Sequence, residues 1–332
     1  MKTTYKSTPA DKNSQPTNLA KRWNLTILGF IAGLALSAFM PVMASAQVTW
    51  GDGTQLSGAG YAARIAVDGQ NAVEVHQLTS GSGKLEYRTG KVTTTGAITW
   101  NAVHKYDTGL APSVALSGTN AVEMHEETGG EIWYHTGQLQ PSGTIKWAAA
   151  INLEAGYAPS VAASGTQVIE VHQASASNPS ALWYSSGQFN PNGTITFSIA
   201  NNYDNGFAPT VALAGAMIVE VHEGDSGALW YNSATVKAGN SISFLEKGQF
   251  DSGYAPTAAI AGPTIMEAHQ ADAGEGPMWY SVGLLQSNGT IVWTSSVDYQ
   301  SGALPSIAIA GPDVVEVHQG NPGAVWSLAG QF

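Results

Sequence analysis

Six times along the 332-residue chain a glutamate stands two positions before a histidine: Glu74/His76, Glu123/His125, Glu170/His172, Glu220/His222, Glu267/His269 and Glu316/His318. Residues two apart on an extended strand share a face, so each pair sets a carboxylate beside an imidazole. Such a pair can pass a proton, accept sugar hydroxyls or supply two ligands to a metal. A tryptophan follows five of the six histidines, at Trp133, Trp183, Trp230, Trp279 and Trp326. The first copy carries Glu86 instead, and Arg64 where the other copies have Ser or Thr.

Three chemistries fit these residues. In a structural network, an imidazole N–H satisfies a carboxylate sealed between packed strands. In a glycan site, carboxylates accept from hydroxyls while an indole stacks on the C–H face of a sugar. The six Glu-His pairs, the five tryptophans and Arg64 are then the ligand-binding residues. In a metal site, two ligands per copy fall short of a coordination sphere, and no Asp-x-Asp-x-Asp calcium loop occurs. Neither a metal nor another cofactor is therefore expected. No catalytic residue is assigned, because glycosidase chemistry needs two carboxylates with divergent roles. A sixfold-repeated Glu supplies no such difference outside the first copy.

The elements that must carry these residues follow from their spacing. The histidines recur at steps of 49, 47, 50, 47 and 49 residues. A Gly-aromatic-Ala-Pro segment, clearest at Gly156, Tyr157, Ala158 and Pro159, precedes the triplets, varied as Gly109-Leu110-Ala111-Pro112 and Gly302-Ala303-Leu304-Pro305 and weaker as Gly60-Tyr61-Ala62-Ala63. A period of this length marks a repeat architecture. In the third copy Val161 to Ala163 is small and apolar, and Val168 to Gln173 alternates with period two. Leu182, Trp183 and Tyr184 open a third strand, Asn192-Gly193 makes a hairpin turn, and Thr194 to Phe197 forms a fourth strand. Four short strands per unit predict an all-β chain folded as a six-bladed β-propeller. The last copy stops at Phe332 without a fourth strand, whereas Gln47 to Trp50 aligns with Thr194 to Phe197. The N-terminal strand is thus expected to close the last blade, leaving no open sheet edge. The propeller spans 47–332, with blades over 59–108, 109–155, 156–205, 206–252, 253–301, and 302–332 plus 47–58. The fourth-strand aromatics Trp50, Trp100, Trp147, Phe197, Phe244 and Trp293 read as core, and Asp107, Asp204 and Asp251 as turn formers.

Composition narrows the partners. Only 11% of residues are charged, with 24 acidic against 13 basic and no cysteine, so disulfides, zinc-thiolate sites and thiol nucleophiles are excluded. Residues 1–46 read as a signal peptide. Lys21-Arg22 leads into an apolar run from Leu25 to Met43, and Ala44-Ser45-Ala46 is a small-residue cleavage motif. A retained anchor is the rival reading. Removing this segment leaves 8 basic and 23 acidic residues, a net charge of −15. Such a chain is expected to be secreted or periplasmic, without nucleic-acid partners and without stable membrane insertion after cleavage. Five of those eight basic residues (Arg64, Lys84, Arg88, Lys91 and Lys105) fall in blade one, the least regular copy.

The copies resemble a tandem repeat of secreted bacterial proteins through Pro159 to Ala162, Ile169 to Gln173 and Leu182 to Tyr184. That resemblance covers 47–332 and implies no particular activity. More distantly, the architecture is similar to propeller lectins of the tectonin and fucose-binding kinds. The fucose-binding pattern relies on an arginine in each pocket, and five blades here have none. The expected function is a non-catalytic, lectin-like propeller recognising a glycan or cell-surface ligand through repeated inter-blade sites. A protein-interaction scaffold, or a hydrolase or lyase with one site in blade one, are the alternatives. Sialidase chemistry, which uses three arginines for the substrate carboxylate, is excluded by the two arginines of 47–332.

Overall fold

The computed structural model describes residues 47–81, 83–177, 180–321 and 323–332. The signal-peptide reading of 1–46 lies outside the described residues. The chain from Gln47 is a six-bladed β-propeller. Blade one is built from Tyr61–Asp68, Asn71–Gln77, Gly83–Val92 and Ile98–Trp100, each antiparallel to the next. The later blades repeat this order. The last takes its outer strand from the start of the chain: Thr49–Trp50 and Thr54–Ser57 both pair with Ala324–Gln331. Closure therefore occurs as the complementary ends of the sequence require.

One feature of the connectivity is finer than the repeat suggests. The run His104–Ser117 pairs first with the third strand of blade one and then, from Leu110 onward, with the second strand of blade two. Asn201–Ala214 and Val297–Ala310 do the same further round. The outer edge of one blade thus becomes the innermost strand of the next without leaving extended structure. The bend is made by the Gly-aromatic-Ala-Pro segment. Ala62, Ala111, Ala158, Ala208, Ala255 and Leu304 all adopt φ between 45° and 52°, a region unfavourable to residues with a Cβ. A side-chain oxygen from the preceding blade holds each of five of them by accepting its N–H. Gln77 holds Ala111, Glu126 Ala158, Gln173 Ala208, Glu223 Ala255 and Gln270 Leu304.

The second strand of each blade is buried on both faces, which is why its polar residues are so constrained. In blade three, Val168, Glu170 and His172 face blade two, while Ile169 and Val171 pack with Val211, Leu213 and Ile218 of blade four. Apolar packing is divided into six clusters, one at each blade-to-blade interface. Aromatic rings add a second layer. Tyr87, Tyr106 and Trp147 meet between blades one and two, and Tyr280, Tyr299 and Trp50 between blades five and six, at centroid distances of 5.1–6.0 Å. Most strand-four aromatics are inter-blade core, as their regular recurrence implies.

Candidate functional site

The Glu-His pairs are sealed. Glu170 is fully buried and His172 is 2% exposed, and the other five pairs are equally enclosed. In every pair the imidazole Nδ1 meets its own glutamate at 2.8–3.1 Å. The far edge of each ring packs against the glycine that begins the same blade. A Cβ on Gly60, Gly109, Gly156, Gly206, Gly253 or Gly302 would lie under 3.0 Å from that ring. The repeated glycine and histidine are therefore one device, a latch holding the crossing chain onto the second strand. Several glutamates also reach the crossing strand: Tyr106 donates to Glu123 at 2.9 Å, and Tyr299 to Glu316 at 3.4 Å.

This corrects the expectation that Glu74, His76, Glu123, His125, Glu170, His172, Glu220, His222, Glu267, His269, Glu316 and His318 contact a sugar. The pairs lie on the one strand whose two faces are both covered, so they are closed to a ligand of that size. Burial also shapes their titration. It pushes the Glu170, Glu267 and Glu316 carboxyls up, and the neighbouring histidine only partly opposes this. Burial alone would lower His172 and His269, but the charge and hydrogen bond of the adjacent glutamate more than offset it, and both rise above 6.5.

The strand-three tryptophans stand directly opposite the histidines, Trp183 across from His172 and Trp230 across from His222. Trp133, Trp183, Trp230, Trp279 and Trp326 are all half-buried. Trp230 carries Lys247 over its face at 5.0 Å.

The basic residues of blade one do not converge on a cleft. Arg88 is buried, with Nε 3.0 Å from Glu74 and Nη1 donating to the Leu56 carbonyl oxygen at 2.9 Å. Lys105 lies 3.9 Å from Glu86, Lys91 pairs with Asn71, and Lys84 is exposed. Arg64 goes elsewhere, into the axial channel. There it lines a cavity of about 50 Å³ with Ser113, Ser160, Thr210, Thr257 and Ser306, above an apolar stretch of about 110 Å³. The serines tie neighbouring first strands together: Ser306 accepts from the Ile65 N–H, Ser113 from Val161 and Ser160 from Val211, at 3.1–3.2 Å. Arg64 breaks this ring. Among the described residues its one side-chain hydrogen bond goes to the Ala63 carbonyl oxygen and no acid pairs with it, and burial lowers its pKa to about 10. Arg64 is half-buried, so its unpaired guanidinium keeps part of its hydration from the channel and is only partly desolvated. Arg64→Ser should therefore raise stability modestly, by about 1 kcal/mol or less. A higher urea midpoint is the expected reading, and an unchanged or lower midpoint would refute the cost assigned to Arg64.

A wide groove lies between blades three and four, where sequence reasoning placed no site. Two cavities of about 680 and 600 Å³ share Tyr184 and Asn201. Their walls carry amides and hydroxyls at Asn190, Asn202, Asn232, Asn240, Ser198 and Ser241. Aromatic faces come from Tyr184, Tyr203, Phe197 and Phe244. Phe244 stacks on Tyr203 at 5.7 Å and is 44% exposed, and Ile199 and Leu245 are exposed on the same segments. The signal was present in the strand-four series: blades three and four carry Phe197 and Phe244 where the others have tryptophan. A phenyl ring in an indole's place leaves part of the crevice unfilled. Asp204, read as a turn former, bonds its neighbour's N–H as such residues do. It also accepts from Asn232 at 2.9 Å and pairs with Lys247 at 2.5 Å beside the groove.

No family model matches the sequence, and no curated protein matches it. Solved structures do match the fold. A Trypanosoma rangeli sialidase in complex with the inhibitor DANA aligns at TM-score 0.56 and 11% identity over 83% of this chain. The chain spans 55% of that sialidase's length. The Aleuria aurantia lectin, in complex with a fucose-α1,6-GlcNAc disaccharide, aligns at TM-score 0.56 and 12% identity, covering 82% of this chain and 93% of the lectin. A neuraminidase-like protein from a little yellow-shouldered bat isolate aligns at TM-score 0.51 and 9% identity over 86% and 99% of the two chains. At these identities the likeness is one of fold.

Proposed function

We propose that this β-propeller is a non-catalytic carbohydrate-binding protein, and that its principal site is the groove between blades three and four. The observation that carries this reading is the groove's composition. The exposed ring of Phe244 and the half-buried ring of Tyr184 sit among at least six amide and hydroxyl groups, in a cleft of sugar size. Aromatic faces stack on the C–H surface of a pyranose, and amides both donate to and accept from its hydroxyls. The fit is to a neutral sugar. Among the described residues, Lys247 is the one cation lining the groove and is tied to Asp204, while Glu246 is the one carboxylate lining it. A single carboxylate does not supply the acid and base of glycoside hydrolysis, so binding is favoured over cleavage. The same fold in a fucosyl-disaccharide-bound lectin is compatible with this role. The N-terminal segment is read as an export signal, which would deliver the protein to extracellular or periplasmic glycans.

The test is a glycan array followed by calorimetry on the best ligand. Tyr184→Ala should weaken binding about 5- to 150-fold, the equivalent of about 1–3 kcal/mol for a lost stacking partner. Phe244→Trp, which restores the ring found in four other blades, should block the groove while leaving the fold intact. Trp279→Ala, in a different crevice, should leave affinity unchanged. If Trp279→Ala abolishes binding and Tyr184→Ala does not, the site lies on the repeated tryptophans instead. An array without a bound glycan overturns the proposal altogether.

A further inference from the structure

The copies differ most pointedly at the third-strand residue facing each latch glutamate. That position holds Arg88, Ser185, Asn232, Ser281 and Leu328 in five blades, and His135 in blade two. His135 is 5% exposed. Its Nδ1 lies 2.8 Å from the Ala148 carbonyl oxygen, which can only accept, so Nδ1 carries the proton. Its Nε2 lies 2.6 Å from Asp107 Oδ2, also an acceptor when ionised. Beside it, His125 Nδ1 faces the Glu123 carboxylate at 3.1 Å, which leaves His125 Nε2 with its lone pair and no hydrogen-bond partner among the described residues. One ring nitrogen of each histidine and an Asp107 carboxylate oxygen all lie within 4.8 Å of one another. Three such donors in a nearly closed crevice can be reconciled either by a proton shared between His135 and Asp107 or by a metal ion bound to all three.

We propose that Asp107, His125 and His135 form a binding site for a divalent transition metal, with zinc the best match to an N₂O donor set. Metal-ligating histidines characteristically donate their other N–H to a carboxylate or a backbone carbonyl, which fixes the tautomer and the ring direction. Glu123 and Ala148 supply those two acceptors here. The side chain of Asp107 is 28% exposed, giving the ion a path inward and leaving room for water in a fourth position. Asp107 sits on the strand that runs from blade one into blade two, and both histidines sit in blade two. The ion would therefore clamp the crossing chain at one of six otherwise equivalent places. The repeat alone cannot reveal this, because His135 belongs to no triplet and Asp107 recurs as an ordinary turn acid.

The experiment is zinc titration of the chelator-stripped protein by calorimetry, with cobalt substitution as an optical readout. The expected result is one zinc per chain and a visible cobalt d–d spectrum of low-symmetry N₂O coordination. His135→Ser, which installs the residue of blades three and five, should abolish uptake while keeping the circular dichroism of the unliganded protein. Should that variant fail to fold, Asp107→Asn preserves the shape of the site and should weaken zinc more than about tenfold. Absence of saturable uptake by the parent protein overturns the proposal. It would leave His135 and Asp107 as a proton-bridged ion pair. Uptake unchanged in either folded variant overturns it equally, by placing the metal elsewhere.

Discussion

Gly206→Ala is expected to destabilise the propeller by about 3 kcal/mol or more. The new Cβ would stand 2.5 Å from both the Glu223 carbonyl oxygen and His222 Cδ2. Neither can withdraw. The carbonyl belongs to the second strand, and the imidazole is held from its other side by Glu220. Gly215, in the following hairpin, provides the contrast. Its φ is 59° and nothing lies within 4 Å of a built Cβ, so Gly215→Ala meets only backbone strain, about 1 kcal/mol. Urea midpoints of the two variants separate these effects. Equal losses would mean that the histidine latch is not the constraint on the blade-start glycines.

A comparable loss is expected from His269→Ala. Glu267 is fully buried, and among the described residues His269 is its one hydrogen-bond partner. Removing one member of a buried pair strands the other and costs about 3–5 kcal/mol near neutral pH. The pH dependence identifies the cause. Burial pushes Glu267 above 4.5; His269 ends above 6.5 because Glu267's charge and hydrogen bond outweigh the lowering by burial. Both pKa values are raised, so the folded state binds more protons than the unfolded chain, and stability falls as pH rises. The contribution is full below each unfolded value. It declines from about 4.5 upward for the glutamate, and from about 6.5 through the higher folded value for the histidine. The parent protein should accordingly melt at a higher temperature at pH 5.5 than at pH 8 (roughly one unit below and above the histidine range). In His269→Ala the stranded carboxyl is protonated and tolerable in mild acid, so the penalty should be small near pH 4.5 and largest near about pH 7. A penalty independent of pH would show that lost packing, not stranded charge, sets the effect.

How far the sequence reaches differs from residue to residue. Blade count, closure and the Glu-His pairing were legible because each is a relation between copies. A Glu two before a His shares its face by strand geometry, whereas the packing of the blade-start glycine on the imidazole is visible only in the structure. Nor was the covering of that face legible. His172 could equally have opened into a crevice, and only the covering of both strand faces shows that it does not. The αL alanines were hidden as well. Ala before Pro reads as extended chain, and the oxygen that stabilises Ala158 comes from Glu126, thirty-two residues earlier in the preceding blade.

The sequence by itself thus determined the all-β propeller, its sixfold period and the use of the N-terminal strand to close the ring, because periodicity and complementary ends are properties of the chain. The tertiary structure alone decided which repeated residues are sealed and where the ring departs from symmetry. The physical reason is that exposure is set between blades rather than within them. Phe244 in place of tryptophan opens one crevice, Arg64 interrupts the axial hydroxyl ring, and His135 meets Asp107 across a crossing strand. The repeated Glu-His pairs that first suggested chemistry are sealed between blades, and the sites proposed lie where single residues depart from the sixfold pattern.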